Sequence, residues 1–437
     1  MLASVIKGSL KNMSSEKSNT SWLFLEKIIS MIILLMVNVL LARELGPEKF
    51  GIINYVLAFS GFIALIAPVG LNAILVKEFL KDNVDNRVVF GTAFTVRIIG
   101  ASLCLAAICI AVYFNWLNSV ESKYLILTGI SGLFTSFYFI DFWFQSKVKS
   151  KYCVLVRTVN LVVFTFIKLL LIYTSDDFDL FLKFIILEPV VLSVGYFIIL
   201  FYDYKSIKWG IDIKYGLNLL KKSWWLLLSS IAAVICLKID QVMLSEMVGN
   251  KELGIYSVAV RLSEVWYFFP TAIVSSFFPM LIKLKQESDD KYQAKLQWLC
   301  DRLFVFSILI AVLVTFTSGI VIRTLYGEQY EMSSVILNIH IWGAIFVFMR
   351  ALFSKWIITE EVFKYSLITH GVSAVFNVIL NIILIPQYFA VGAAIATVMS
   401  YFIGSYILLL FYKETRPFFI IMTKSMNLVA SVKRSLS

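Results

Sequence analysis

Eight cationic and five acidic residues within or at the edges of long apolar runs in this 437-residue chain are read as intramembrane charges. The cations are Lys27, Arg97, Arg157, Lys168, Lys183, Lys238, Arg261 and Arg350, and the acids are Glu26, Asp141, Glu188, Asp240 and Glu264. A charge at mid-bilayer costs about 2.5–3.5 kcal/mol on insertion scales, so each such side chain is expected to face a partner, water or a ligand. Lys27, Lys238, Arg350 and Asp141 stand near run ends, from which their heads can snorkel to the interface. Arg97, Lys168, Arg261, Glu188 and Glu264 stand deeper. Arg261 and Glu264, three apart on one helix face, either neutralise each other or serve a substrate, and the spacing leaves both open. With that pair set aside, seven cations still face four acids, an excess that suits an anionic cargo. Guanidinium forks match phosphate oxygens and ammonium groups add point charges, so Arg97, Arg157, Lys168, Lys183 and Arg261 form the candidate set for a pyrophosphate head group. Glu188, directly before Pro189, marks either a helix break whose acid and freed carbonyls take H+ or Na+, or an ordinary proline kink.

The elements that must position these groups follow from composition. The chain is 60% apolar, 15% aromatic and 15% charged, with a mean hydropathy of +0.85. That is membrane composition. Apolar runs at 22–42, 50–69, 88–114, 124–145, 152–174, 178–202, 219–239, 255–282, 299–322, 333–354, 363–385 and 390–412 predict twelve spanning helices. Helix is the expected state, because lipid-exposed backbone must satisfy its own hydrogen bonds. The gaps are too short for a large soluble domain. If the N-terminus is cytoplasmic, inside segments hold 26 Lys or Arg and outside segments five, a bias that supports both the number and the direction of the spans. Membrane orientation explains the net charge of +11 better than nucleic-acid binding, since the cations are scattered through short gaps. The opening stretch carries Lys7, Lys11 and Lys17, and the run after it is too long for a signal-peptide core, so it reads as an uncleaved first span.

Residues Leu45–Ile52 resemble Val248–Ile255 at an offset of 203, and both segments join the first and second helices of a six-helix half. Six helices between the copies give a parallel repeat. The chain therefore divides into a cytoplasmic tail 1–21, an N-lobe 22–202, a cytoplasmic linker 203–218, a C-lobe 219–412 and a cytoplasmic tail 413–437. The five cysteines lack a CxxC pair and read as packing residues. His340 and His370 read as packed neutral imidazoles. Aromatic clusters such as 138–143 and 266–269 serve lipid contact or give sugar rings a surface. No GxxxxGK[ST], HExxH or GxSxG occurs, and no loop is long enough for a catalytic domain, so enzymatic function is not expected.

The segment Leu41–Gly51, the stretch Asp240-Gln241-Val242-Met243-Leu244-Ser245 leading into 253–259, and Asn377–Pro386 followed by Gly392–Thr397 together resemble one family. It is the polysaccharide transporter branch of the multidrug/oligosaccharidyl-lipid/polysaccharide exporter superfamily, and within it the O-antigen flippases. Phe389 occupies a place where relatives often carry glycine. The resemblance implies an all-α, MATE-like membrane protein of two six-helix lobes forming a V-shaped, alternating-access cavity, with both termini cytoplasmic. It implies residence in the bacterial cytoplasmic (inner) membrane. It also implies a cargo, an undecaprenyl-pyrophosphate-linked oligosaccharide moved to the outer face, with H+ or Na+ coupling and no other cofactor. Carried over, Arg97, Lys168, Arg261 and Asp240 are the residues of most interest, with Glu188 and Glu264 as further coupling or structural acids. Expected partners are membrane lipids, a glycan polymerase and its chain-length regulator; nucleic acid is not among them. Rival readings are a flippase for capsule, common antigen or a peptidoglycan precursor, a cation-coupled drug exporter, a glycan polymerase and an assembly scaffold.

Overall fold

The computed structural model describes residues 2–81, 84–203 and 209–436, with backbone alone at 2–25, 73, 203, 226, 435 and 436. The side chains of Lys7, Lys11 and Lys17, and Lys205 and Lys208 of the expected linker, lie outside the described residues. The described chain is helical almost throughout. Its elements are α1 (2–45), α2 (47–66), α3 (Asn72–Phe79), α4 (Asn86–Tyr113), α5 (Ser122–Ser146), α6 (Lys151–Thr174), α7 (Phe178–Asp203) and α8 (Ile213–Val248). They continue as α9 (Asn250–Glu287), α10 (Asp289–Tyr326), α11 (Met332–Thr359), α12 (364–388), α13 (390–411), α14 (Arg416–Met426) and α15 (Leu428–Leu436).

Among the described residues, ten continuous helical stretches are long and apolar enough to cross a bilayer. Two of them, Glu26–Ile66 and Lys364–Phe411, run for 41 and 48 residues, and each is broken by one non-helical residue, Gly46 and Phe389. Each is therefore two consecutive helices, which brings the ten to the expected twelve.

The breaks have local causes. Gly46 (φ 74°, ψ 170°) supplies a backbone shape that a side chain would oppose, and Pro47 restarts the helix at a position where its missing N–H is not needed. The repeat offset reproduces this: 203 residues on, Gly249 (φ 101°, ψ 168°) precedes α9. The two copies also pack on each other reciprocally. A Cβ added to Gly51 would lie 1.8 Å from the Asn250 carbonyl oxygen, and one on Gly254 would lie 1.9 Å from that of Pro47. Gly51 and Gly254, like Pro47 and Asn250, are repeat partners. The duplicated turn is thus a structural pair held by mutual backbone approach.

The chain forms two compact units. One comprises Met1–Glu44 with Val56–Ser230, the other Leu45–Tyr55 with Ile231–Ser437. The core of the first gathers around the short helix α3, where Phe79 and Phe90 meet Trp143 at centroid distances of 5.2 and 5.0 Å. In the second, α14 and α15 fold onto α10: Phe418, Ile421 and Met422 are buried, and Asp301 accepts from Gln297 (2.9 Å), Ser425 (2.7 Å), Ser431 (3.1 Å) and Arg434 (2.7 Å).

Candidate functional site

In the first unit most intramembrane cations are already neutralised. Arg157 on α6 forms a two-pronged pair with Glu26 on α1 (2.9 and 3.2 Å), and its other terminal nitrogen donates to Asp141 on α5 (2.9 Å). Lys168 on α6 donates to Glu188 on α7 at 2.6 Å, and both sit largely inside the protein. Lys183 pairs with Asp179 at 2.5 Å, one turn back on α7, and is half exposed. A carboxylate at contact distance cancels most of a cation's long-range pull on a second anion. Arg157 and Lys168 are therefore braces between helices more than free charges, Lys183 is neutralised within its own helix, and Glu188 is a lysine partner. Arg97 differs. It is 2% exposed, and donates to the Asn72 side chain (2.6 Å) and the Thr135 carbonyl (3.1 Å), both neutral. It keeps its charge but is enclosed.

In the second unit the two deep charges on α9 do not make the pair that their spacing allows. Among the described residues Arg261 forms no ion pair; it donates to the neutral Asn54 side chain at 3.4 Å. Arg261 is partly exposed. Glu264 is likewise partly buried on the same helix.

Asp240 forms the centre of a different arrangement. Its carboxylate is 3% exposed and accepts from the Gln241 backbone (2.8 Å), Thr397 (3.2 Å) and the Tyr256 hydroxyl. Asn377 donates to Thr397 (3.5 Å) and Asn381 to Asn377 (3.1 Å), both asparagines being fully buried one turn apart on α12. The Asn381 side-chain oxygen has no hydrogen-bond partner. Helices α8, α9, α12 and α13 thus bring one carboxylate and several neutral oxygens into a buried interior, with no ion pair to Asp240 among the described residues. With only neutral groups in hydrogen-bond contact, that carboxylate is costly to bury. A proton or a small hard cation would settle it, because hard cations prefer oxygen ligands.

Two features escaped the sequence. Arg350, read as snorkelling from a span end, instead points to hydroxyls on neighbouring helices, Ser405 (3.3 Å) and Thr369 (3.1 Å). The oxygens completing the Asp240 group come from α12 and α13, where Asn377, Asn381 and Thr397 were visible only as parts of a helix connection. The i, i+4 asparagine pair in an apolar run was the available signal.

The geometry can now be set beside known proteins. The profile of the family described as Polysaccharide biosynthesis protein matches residues 17–285, and that of Lipid II flippase MurJ matches 178–434. The capsular polysaccharide biosynthesis protein CapF of Staphylococcus aureus is 22% identical over 409 residues, covering 91% of this chain and 99% of CapF. A putative O-antigen transporter of Shigella flexneri is 21% identical over 374 residues, covering 82% and 88%. A solved structure of the Lipid II flippase MurJ in an inward closed conformation superposes with a TM-score of 0.71 at 18% identity, covering 94% of this chain and 96% of that one. The likeness to MurJ carries the fold, an all-helical membrane protein, and the profile matches carry the class. The chain belongs to the polysaccharide biosynthesis protein family: it is a multi-pass membrane flippase of the multidrug/oligosaccharidyl-lipid/polysaccharide exporter superfamily, a transporter and not an enzyme.

Proposed function

We propose that the chain carries an undecaprenyl-pyrophosphate-linked O-antigen oligosaccharide from the cytoplasmic to the outer face of the bacterial cytoplasmic membrane by alternating access. The observation that supports this reading is the state of Arg261, a partly exposed intramembrane arginine that donates to a neutral amide and, among the described residues, forms no ion pair. Such a group attracts and orients a pyrophosphate through charge-assisted hydrogen bonds, while the lipid tail stays in the bilayer. Arg97 adds an enclosed positive charge in the other unit. Lys168 and Arg157 are assigned to bracing and Lys183 to an ion pair within its own helix, since each already holds a carboxylate.

Asp240 with Thr397, Asn377 and Asn381 is the proposed coupling site for H+ or Na+. Its buried carboxylate and unpartnered amide oxygen supply the charge and the oxygens that such an ion needs. Glu264 is the nearest candidate acid on α9, with Glu188 reassigned to its lysine. A capsule repeat unit is the second reading for the cargo, favoured by the full-length similarity to CapF. Both cargoes offer the same anionic anchor, and only the glycan differs. A polymerase and chain-length regulator would act on the unit once it is outside.

The test is charge replacement. Arg261→Ala, in protein shown to insert normally, is expected to reduce surface-glycan production at least tenfold, whereas Lys183→Ala leaves it within twofold. Full production by Arg261→Ala would contradict the anion-binding role.

A further inference from the structure

Arg350 on α11 stands where three helices of the second unit meet, and its surroundings are chemically one-sided. One terminal nitrogen donates to Ser405 (3.3 Å) and the other to Thr369 (3.1 Å). Among the described residues it has no salt bridge, and the titratable groups whose fields it shares, Cys236, Tyr401 and His370, include no carboxylate. A guanidinium inside an apolar unit with two neutral acceptors keeps its full charge and has donors to spare.

The helix geometry around it is specific. Thr369 already donates to the Tyr365 carbonyl at 2.7 Å, so toward Arg350 it can only accept. Ser405 accepts from Arg350, and its own proton has no acceptor among the described residues. Ser405 lies in a π turn, Ile403–Ile407, that interrupts α13; such turns re-aim side chains and recur at functional sites. Beside it, Gly404 lets α13 press on α12, because a Cβ there would lie 2.5 Å from Ser373 Cβ and 2.8 Å from the Thr369 carbonyl oxygen. The close approach sets Thr369 and Ser405 on either side of the guanidinium, and Arg350 taken as a whole residue is half-buried.

We propose that Arg350, with the Ser405 hydroxyl, forms a binding site for a phosphate-type oxyanion. The guanidinium supplies the charge and the parallel N–H groups, and Ser405 turns its free proton to a second oxygen. The oxyanion can come from an anionic phospholipid headgroup or from the pyrophosphate of the lipid-linked cargo. Only the second source rests on the function proposed above.

The experiment uses the full chain in two settings. In neutral detergent, inorganic pyrophosphate is titrated and followed by calorimetry. In phosphatidylcholine nanodiscs containing phosphatidylglycerol, retained phosphatidylglycerol is counted by native mass spectrometry. Arg350→Gln is expected to weaken at least one of these at least tenfold with an unchanged thermal midpoint, and Ser405→Ala to weaken the same one three- to fivefold. Dependence of pyrophosphate alone on Arg350 assigns the cargo, and dependence of phosphatidylglycerol alone assigns the lipid. A merely bracing arginine would instead lower the midpoint and leave both probes bound as before, which overturns the proposal, as does wild-type protein that binds neither. Should Arg350→Gln fail to fold, Arg350→Lys keeps the charge and loses the fork; at least fivefold weakening supports the site, and unchanged binding overturns it. If glycan transport itself fails its test while phosphatidylglycerol still depends on Arg350, this site stands with the lipid headgroup as its ligand.

Discussion

Glu78 illustrates how a single carboxylate ties an element to its surroundings. It ends α3 at 3% exposure and takes hydrogen bonds from Lys81 (2.5 Å) and Tyr215 (2.8 Å), with Lys222 at 3.9 Å. Burial opposes its ionisation, but the bonds from Lys81 and Tyr215 and the charge of Lys222 outweigh it and hold the carboxyl below its ordinary value of 4.5. A carboxylate depressed on folding stabilises fully above the unfolded value and loses that contribution as pH falls through the folded one. Glu78→Gln is therefore expected to lower the thermal midpoint at pH 7, and the difference from wild type should shrink below pH 4.5. A difference that persists unchanged at pH 3 would assign the effect to packing. The intramembrane charges follow the same logic of partners. Their residue types were legible in the sequence and their partners were not. Lys168 finds Glu188 20 residues away, but Arg157 finds Glu26 at a separation of 131, and Arg261 ignores Glu264 three residues along its own helix. Which cations remain free for a ligand is decided by tertiary contacts, which no spacing rule supplies.

At the scale of elements, spans and repeat were readable because the bilayer and the glycines impose them. Lipid forces hydrogen-bonded helices of a set length, and a turn that approaches another backbone closely has no substitute for glycine. The reciprocal contact of Gly51 and Gly254 makes this testable. Gly51→Ala and Gly254→Ala should each destabilise by about 1–3 kcal/mol through overpacking, and by similar amounts, since the two sites are equivalent. A tolerated substitution at either position would show that the turns do not pack this way. The break at Phe389 runs in the opposite direction. Its φ of 51° is one that side chains rarely adopt, yet the residue is phenylalanine and 51% exposed. Phe389→Gly should relieve about 1 kcal/mol of backbone strain and raise the thermal midpoint in detergent; a lowered midpoint would mean that the ring's contacts outweigh the strain. Helices α14 and α15 fall in the expected cytoplasmic tail 413–437, for which the sequence offers no packed element. Their apolar residues are too few for a span, and the buried Asp301 that anchors them lies far back on α10.

For the whole molecule, the composition already pointed to a multi-pass membrane protein, and the fold and family agree with a flippase. The cargo is where physical reasoning narrows to its anionic anchor, because a pyrophosphate is recognised by charge whereas a glycan is recognised by shapes that loops and aromatic rings tune individually. The central claim is movement of a lipid-linked glycan across the membrane. Its most direct test is to locate that glycan in a strain lacking this gene, using a sugar-modifying probe that cannot cross the cytoplasmic membrane. The account predicts single units trapped on the cytoplasmic face and released to the outer face when the gene is restored. Units that reach the outer face without this chain, and remain there unpolymerised, would contradict it.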